Sequence, residues 1–201
     1  MDSDDRFGLP PVADMQEVSP SPESHHPQPA THVAFVALGA NLGDREGTIR
    51  EAVRRIAKLG TVEAVSSLYE TPAWPDPDAA PRYLNGALRL RTELPPVKLL
   101  RALLAIEHGL GRERSVPNAP RTIDLDLVLY EDVVLEAPEL TLPHPRLHER
   151  AFVLAPLAEI APDAVHPLLG QTMSDLLPGL GGVAELSPRS GGAKANEGAG
   201  G

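Results

Sequence analysis

Residues 122–130 are an apolar segment that carries two aspartates, and this combination limits how the chain can fold. Its apolar residues predict a buried β-strand, and they are Ile123, Leu125, Leu127, Val128 and Leu129. Asp124 and Asp126 interrupt this pattern. Side chains two residues apart in a strand project from the same face, with Cα atoms about 6.5–7 Å apart. The segment is therefore expected to hold two carboxylates side by side.

Two carboxylates this close repel each other and are costly to desolvate without a cation. Mg²⁺ takes hard oxygen ligands and usually binds through one or two carboxylates plus substrate phosphates. Arg121, just before the strand, adds a planar donor suited to a phosphate. The alternative is a solvent-facing aspartate pair with Arg121 as its ion-pair partner, and this segment alone does not separate the two interpretations.

Composition limits the class of protein. The chain has 201 residues, which predicts one domain, and it has no cysteine, so disulfides and a thiol nucleophile are excluded. No apolar run approaches the ~20 residues that span a bilayer, and the N-terminus lacks a signal pattern. We therefore expect a cytoplasmic protein with no membrane partner. A monomer is also expected, although neither of these features bears on the oligomeric state. The net charge of −10 argues against nucleic acid as a partner.

The two ends of the chain differ in composition from its middle. Residues 1–30 hold six prolines and six acidic residues against one arginine, so we expect a disordered acidic, proline-rich tail. Residues 183–201 are rich in glycine and are expected to form a second disordered tail. The folded domain is predicted to cover residues 31–182.

Hydrophobic periodicity within this domain predicts alternating strands and helices. Strands are expected at 33–38, 62–71, 84–94 and 122–130, and helices at 45–59, 95–110 and 152–160, with Asp44 as the first N-cap. Long loops are expected at 72–82 and 111–120. The order of the main elements is βαββαβ. The predicted fold class is α+β, a ferredoxin-like fold with one antiparallel sheet and helices packed on one face of it.

A basic cluster lies close to the aspartates. Arg112, Arg114 and Arg121 together with the aspartate pair supply the positive charge and metal ligands that phosphoryl transfer requires. Taken alone, Arg112 and Arg114 fit a solvated loop better, whereas beside the aspartate pair a phosphate-binding role is favoured. His144 and Arg150 could also reach a phosphate, although a lone histidine such as His144 is more often a structural hydrogen-bonding group.

A flat ligand is indicated by the start of the strand at 84–94. Tyr83 and Asn85 share a face, and an aromatic ring beside an amide suits a hydrogen-bonding heterocycle. The alternative is that Tyr83 only fills space beside the strand. Residues 39–43 form a glycine-containing turn but match neither the Walker A nor the G-x-G-x-x-G pattern. Any ATP must therefore be held through the strand and its metal ions.

These motifs together resemble the 6-hydroxymethyl-7,8-dihydropterin pyrophosphokinase family of folate biosynthesis. The resemblance covers roughly residues 33–172 in order and at compatible spacing. It is carried by six segments, which are Val-Ala-Leu-Gly-Ala-Asn-Leu-Gly at 36–43, Tyr-Glu-Thr-Pro at 69–72, Tyr-Leu-Asn at 83–85, residues 106–112, Ala-Pro-Arg-Thr-Ile-Asp-Leu-Asp at 119–126, and residues 142–152.

The resemblance implies a function and assigns residues to it. It implies a ferredoxin-like fold and transfer of diphosphate from ATP to the pterin hydroxymethyl oxygen, with release of AMP. Asp124 and Asp126 would hold two Mg²⁺ ions, and Arg112 and Arg121 would stabilise the transferring group. The implied ATP contacts are Glu107, Arg112, Arg114, Arg121, Leu127, His144 and Arg150. The implied contacts with the reduced pterin are Thr71, Pro72, Trp74, Tyr83, Asn85 and Phe152.

Some positions depart from the family pattern. Asn118 and Ala119 stand where some members carry an aromatic residue and a glycine, and Pro145 replaces an aromatic residue. Leu104 and Glu139 occupy positions that give polar ATP contacts in some members. Two other classes of function fit the pattern less well. One is another Mg²⁺-dependent transferase with an Asp-x-Asp strand, and the other is a non-catalytic ferredoxin-like module, which has no need of paired metal ligands.

Overall fold

The computed structural model describes residues 30–73, 81–111 and 122–180. Nearly all of the predicted 1–30 tail, the whole 183–201 tail and most of the two predicted loops lie outside these residues.

The elements follow the predicted order with several additions. The strands are β1 His32–Ala40, β2 Thr61–Val65, β3 Tyr69–Thr71, β4 Tyr83–Thr92, β5 Asp124–Tyr130, β6 Leu135–Ala137 and β7 Leu140–Leu142. The α-helices are α1 Arg45–Ile56, α2 Pro96–Gly109, α3 Ala151–Ile160 and α4 Met173–Leu176. Single 3₁₀ turns cover Leu147–Glu149 and Leu177–Gly179. The core βαββαβ order is thus confirmed. Among the described residues, none of the helices is long and apolar enough to cross a bilayer.

The main sheet is antiparallel, with the order β2-β4-β1-β5, and β3 also pairs with β4. The single strand predicted at 62–71 is wrong, because β2 and β3 are separate segments. Ser66 interrupts the ladder between them, since its hydroxyl accepts the N–H of Ala87 at 2.9 Å. β5 ends this order and pairs within the main sheet with β1.

One face of the sheet packs against α1 and α2. Asp44 caps α1 as predicted, because its carboxylate accepts the N–H of Gly47 at 3.0 Å. Helix α2 begins at Pro96, where the missing N–H costs no hydrogen bond. The core on this side includes Val36, Leu38, Leu88, Leu90, Leu125 and Leu127 of the sheet with Ile49, Ile56, Leu99 and Leu103 of the helices.

The other face of the sheet is covered by α3, so the expectation that helices lie on only one face is wrong. The second core joins Phe35, Ala37, Ala87, Val128 and Leu129 to Leu147, Val153, Leu154, Leu157 and Met173. The sequence contained a signal for this arrangement, because residues 33–40 of β1 are all apolar or glycine, and in the structure every residue from Ala34 to Ala40 is buried. A continuous apolar run of this kind is typical of a strand covered on both faces.

Candidate active site

A row of residues crosses four strands on the α3 side of the sheet. Asp124 of β5 lies opposite Gly39 of β1, which lies opposite Asn85 of β4, which lies opposite Tyr69 of β3. A Cβ atom at Gly39 would lie 3.2 Å from Asn85 Oδ1 and 3.7 Å from Asp124 Cβ. The missing side chain at Gly39 therefore lets the amide and the carboxylate approach each other across β1.

The two aspartates share the α3 face, as the sequence predicts. Their partners across the ladder are Gly39 and Ala37, which are two residues apart on β1. Both aspartates are half-buried, whereas Leu125 between them is 1% exposed in the opposite core. Arg150 Nη1 lies 4.0 Å from Asp126 Oδ2. The carboxylates therefore reach solvent beside a cationic group.

This donor set fits Mg²⁺ in the presence of a phosphate ligand. Mg²⁺ keeps several waters and takes one or two carboxylates plus substrate oxygens. Within residues 30–73, 81–111 and 122–180, no group of three or more His, Cys, Asp or Glu side chains could hold a metal ion. The aspartate pair thus supplies two carboxylates, the number that Mg²⁺ commonly takes from a protein when waters and phosphate oxygens provide the rest.

Glu107 lies behind the aspartate strand. Its side chain comes from the last turn of α2, is 1% exposed, and accepts the backbone N–H of Leu125 at 2.7 Å. Leu127 is 2% exposed and packs in the core on the side opposite the aspartates. The ATP contacts of both residues remain predictions, and for Leu127 they would have to come from backbone atoms because its side chain is enclosed.

His144 lies beside the aspartates and is fixed by two hydrogen bonds. Its backbone N–H donates to the Val128 carbonyl at 2.9 Å, which ties the segment after β7 to β5. Its Nδ1 accepts the N–H of Arg146 at 3.1 Å. Burial, with smaller effects from Arg150 and Arg146, lowers the pKa of His144 to about 4. The imidazole is therefore neutral near pH 7, and its proton lies on Nε2, which can donate to an anion.

A second group of polar residues lies further along the same face. Asn85 Nδ2 donates to Thr71 Oγ1 at 2.7 Å, and these side chains are 5% and 3% exposed. This bond fixes which way the Asn85 amide points. Tyr83 is half-buried, lies opposite Thr71 in the ladder, and is followed by Asn85 on the same face. Pro72, also half-buried, continues the chain from Thr71.

Helix α3 brings an aromatic ring to this face. Phe152 is in its first turn and is half-buried against the second core. The guanidinium carbon of Arg150 lies 5.9 Å from the centroid of the Phe152 ring. Because α3 packs against β4 and β1, the fold brings Phe152 to the face that carries Tyr83, Asn85 and the aspartates.

Several predicted site residues and departures lie outside the described residues, and they are Trp74, Arg112, Arg114, Arg121, Asn118 and Ala119. Among the other departures, Glu139 forms a two-point ion pair with Arg101, at 2.7 Å from Nη2 and 3.1 Å from Nε. Leu104 is half-buried on α2, and Pro145 is exposed. Glu139 is therefore held by a partner on α2.

Sequence reasoning missed two contributors to this face. Gly39 was assigned only to a turn, yet it sits in β1 between Asn85 and Asp124. Glu159 of α3 accepts the hydroxyl of Tyr69 at 2.8 Å and was not singled out. The spacing of Tyr69 and Thr71 could have shown that both side chains share a face. Only the fold reveals that Glu159 is the partner of Tyr69.

Fold and site together define an α+β enzyme that places paired carboxylates on the same face as a hydrogen-bonded amide and aromatic side chains. The family model for 7,8-dihydro-6-hydroxymethylpterin-pyrophosphokinase (HPPK) matches residues 35–162. The chain therefore belongs to this family and is a pyrophosphokinase of folate synthesis.

Relatives with a known name agree with this assignment. The chain is 45% identical over 148 residues to 2-amino-4-hydroxy-6-hydroxymethyldihydropteridine pyrophosphokinase of Synechocystis sp., covering 73% of this chain and 75% of the relative. It is 47% identical over 131 residues to the Bacillus subtilis protein of the same name, covering 64% and 78%. It is also 41% identical over 159 residues to folic acid synthesis protein fol1 of Schizosaccharomyces pombe. This match covers 77% of this chain and only 22% of the relative.

Solved structures support the fold. A wild-type Plasmodium falciparum HPPK-DHPS crystal structure with pteroate superposes with a TM-score of 0.61 and 16% identity, covering 76% of this chain and 43% of that chain. The ferredoxin-like class predicted from the sequence is confirmed.

Proposed function

We propose that this chain transfers diphosphate from ATP to the hydroxymethyl oxygen of 6-hydroxymethyl-7,8-dihydropterin, depends on Mg²⁺, and releases AMP. The observation that carries the proposal is the row Asp124–Gly39–Asn85, with Asp126 two residues further along β5. It puts a carboxylate pair and a buried amide on one sheet face. A metal–phosphate site and a heterocycle site are then neighbours, as transfer between two bound substrates requires.

The phosphate half of the site uses charge and fixed donors. Asp124 and Asp126 would hold two Mg²⁺ ions, which when bound neutralise phosphate charge and orient the oxygens. Arg150, next to Asp126, would bind a phosphate oxygen, and His144 would donate from Nε2 without adding charge. Arg112, Arg114 and Arg121 are proposed as further phosphate ligands from the segment between α2 and β5. The remaining ATP contacts are proposed for Glu107 and Leu127.

The pterin half uses shape and one amide. A reduced pterin would lie between the rings of Tyr83 and Phe152, since stacking suits a flat heterocycle. Asn85, whose Nδ2 is engaged by Thr71, would present Oδ1 as an acceptor to ring N–H groups. The backbone around Thr71, Pro72 and Trp74 would complete the edge contacts.

The reaction forms one bond and breaks one. The pterin hydroxymethyl oxygen attacks the β-phosphorus of ATP, the bond between that phosphorus and the α-phosphate oxygen breaks, and AMP leaves with that oxygen. The hydroxyl proton passes to solvent or to a phosphate oxygen. The chain's own contribution is to align the attacking hydroxymethyl oxygen with the leaving α-phosphate oxygen and to stabilise the charge on the transferring group. A cytoplasmic location and a monomeric state remain predictions from the sequence.

Product analysis tests the proposal directly. The protein is incubated with Mg²⁺, ATP and the reduced pterin alcohol, and nucleotides are separated. AMP in a one-to-one ratio with a diphosphorylated pterin is expected. ADP with a monophosphorylated pterin, or inorganic pyrophosphate with an adenylylated pterin, would overturn it.

Two variants with a matched control connect the activity to the site. Asp124→Asn and Asp126→Asn keep side-chain size but remove the charge, and a loss of at least about 10³-fold in turnover is expected from folded protein. Asp163→Asn is the control because Asp163 is exposed in the turn after α3, away from the aspartate pair. Near-normal turnover of folded Asp126→Asn would contradict the metal assignment.

A further inference from the structure

The aspartates lie on the last strand of the main sheet, and one side chain fixes the outer edge of that strand. β5 pairs with β1 through one edge, while the N–H of Leu125 points to the other edge. There it donates to Glu107 Oε1 at 2.7 Å. The carboxylate therefore substitutes for a neighbouring strand at the residue that separates Asp124 from Asp126.

This contact is enclosed. Glu107 is 1% exposed and Leu125 is 1% exposed, and the bond itself is buried. A carboxylate that accepts a backbone N–H makes a stronger bond than a neutral acceptor, and a buried N–H without an acceptor is strongly unfavourable. Because Glu107 belongs to α2, the bond joins this helix directly to β5.

The position of this bond determines what it can control. Asp124 and Asp126 are both peptide neighbours of Leu125, so the orientation of their carboxylates follows the backbone at Leu125. A pair of metal ligands must stay within a few tenths of an ångström of the required geometry, and groups that orient ligands commonly change metal affinity 10–100-fold when removed.

We infer that Glu107 is a positioning residue, which holds the aspartate pair in register for divalent cations by fixing the Leu125 amide. The inference rests on the proposed function for its catalytic meaning, and it gives Glu107 a role that requires no contact with ATP. The negative charge of Glu107 strengthens the bond, but the role itself requires only an acceptor oxygen at this place.

Three variants test this role. Glu107→Gln keeps an acceptor oxygen on the same stem, and Glu107→Leu removes it at similar volume. Leu103→Ala is the control, because Leu103 is one turn earlier on α2 and 0% exposed. This substitution destabilises the same core but leaves the acceptor of the Leu125 amide in place.

The first readout is hydrogen exchange of the Leu125 amide in protein without metal or nucleotide. In Glu107→Leu, exchange of the Leu125 amide is expected to speed up at least about 10-fold more than exchange of the Val36 amide, which lies in the core of β1 and reports the general loss of stability. Glu107→Gln is expected to stay within about 3-fold of the wild type. Equal acceleration at Leu125 in the Leu103→Ala and Glu107→Leu variants would overturn the inference. If Glu107→Leu does not fold, the exchange of Glu107→Gln decides alone, because acceleration at Leu125 beyond about 10-fold contradicts a role for the acceptor oxygen.

The second readout consists of two quantities. One is the Mg²⁺ concentration that gives half-maximal turnover, and the other is the Kd for Mn²⁺, measured by calorimetry in the presence of a non-hydrolysable ATP analogue. Glu107→Leu is expected to raise both quantities about 10–100-fold, Glu107→Gln less than about 5-fold, and Leu103→Ala not at all. Equal losses in Glu107→Gln and Glu107→Leu, with a raised KM for ATP and unchanged metal dependence, would assign the carboxylate to ATP instead. If wild-type protein makes no AMP, the proposed function fails, while hydrogen exchange still decides the positioning role.

Discussion

Tyr69 on β3 donates its hydroxyl to Glu159 on α3 at 2.8 Å, which joins an edge segment of the sheet to the helix that carries Phe152. The other oxygen of Glu159 accepts both the N–H and the hydroxyl of Ser67, each at 2.9 Å. β3 has three residues and pairs in the sheet with β4, so ladder bonds alone hold it weakly. This connection sets the spacing between Thr71 on the strand and Phe152 on the helix.

Removing this connection is expected to affect pterin binding more than ATP binding. Glu159→Ala should weaken pterin binding about 3–10-fold and lower the free energy of unfolding by about 0.5–1.5 kcal/mol, since Glu159 is exposed at the surface. Calorimetry with each substrate measures the difference. Glu63→Ala is the matched control, because Glu63 on β2 pairs with Arg89 and Arg91 of the neighbouring strand β4. Equal losses for both substrates would assign Glu159 a purely structural role.

Gly39→Ala tests the close approach across β1. The new Cβ would lie 3.2 Å from Asn85 Oδ1, and the Asn85 amide cannot easily retreat because Thr71 holds it. We expect at least about 10-fold weaker pterin binding. The free energy of unfolding should fall by about 0–2 kcal/mol, since the cost of overpacking is partly offset by the lower entropy of the unfolded chain.

Gly179→Ala is the control for Gly39→Ala, because no atom lies within 4 Å of the added Cβ there. It should leave binding of both substrates unchanged. If Gly39→Ala binds the pterin as tightly as the wild type, then the Asn85 amide is not confined by β1, and its proposed contact with the pterin loses support.

Local patterns in the sequence were enough to predict the order of the main strands and helices, one helix cap and the face shared by the aspartates. Asp44 as N-cap, the shared face of Asp124 and Asp126, and the βαββαβ order all follow from local rules, and the structure confirms them. The resemblance to a family supplied the residue roles, which no spacing argument could have provided.

What the sequence did not predict depends on contacts between distant residues. The break at Ser66 arises because its hydroxyl reaches Ala87, which is 21 residues away in the chain. The burial of Glu107 against Leu125 depends on how α2 crosses β5, and a charged residue near a helix end would otherwise be placed in solvent. The second helical layer likewise depends on distant contacts, because the apolar residues of α3 cover Phe35 of β1, Ala87 of β4 and Leu129 of β5.

Tyr83→Ala tests the stacking role proposed for this ring. Loss of one aromatic face is expected to weaken pterin binding by about 10–100-fold, in keeping with about 1–3 kcal/mol for stacking on a flat heterocycle. ATP binding should change less than about 2-fold. Tyr83→Phe keeps the ring and should retain pterin affinity, so calorimetry on the two variants separates stacking from hydrogen bonding. Equal weakening by Ala and Phe would mean that the hydroxyl, and not the ring face, makes the contact.

Tyr69 should make the stability of the protein depend on pH in the alkaline range. Burial, with added effects from the hydrogen bond to Glu159 and its charge, raises the pKa of Tyr69 to about 12. An unfolded tyrosine ionises near pH ~10, so between about pH 10 and pH 12 the unfolded chain loses a proton that the folded chain keeps. The folded state then binds more protons, and the free energy of unfolding falls as pH rises through this window.

The contribution of Tyr69 is thus fully present below about pH 10, and its slope is at most about 1.4 kcal/mol per pH unit. Tyr69→Phe should flatten the loss of stability between about pH 10 and pH 11, measured as urea midpoints. Tyr130→Phe serves for comparison, because burial also raises the pKa of Tyr130, whose hydroxyl donates to the Leu94 carbonyl rather than to a carboxylate. The phenolate absorbance of folded wild type should lag behind that of the denatured chain, and Tyr69→Phe should reduce this lag. An unchanged lag would mean that Tyr69 ionises as a solvated phenol, and that its bond to Glu159 does not persist in solution.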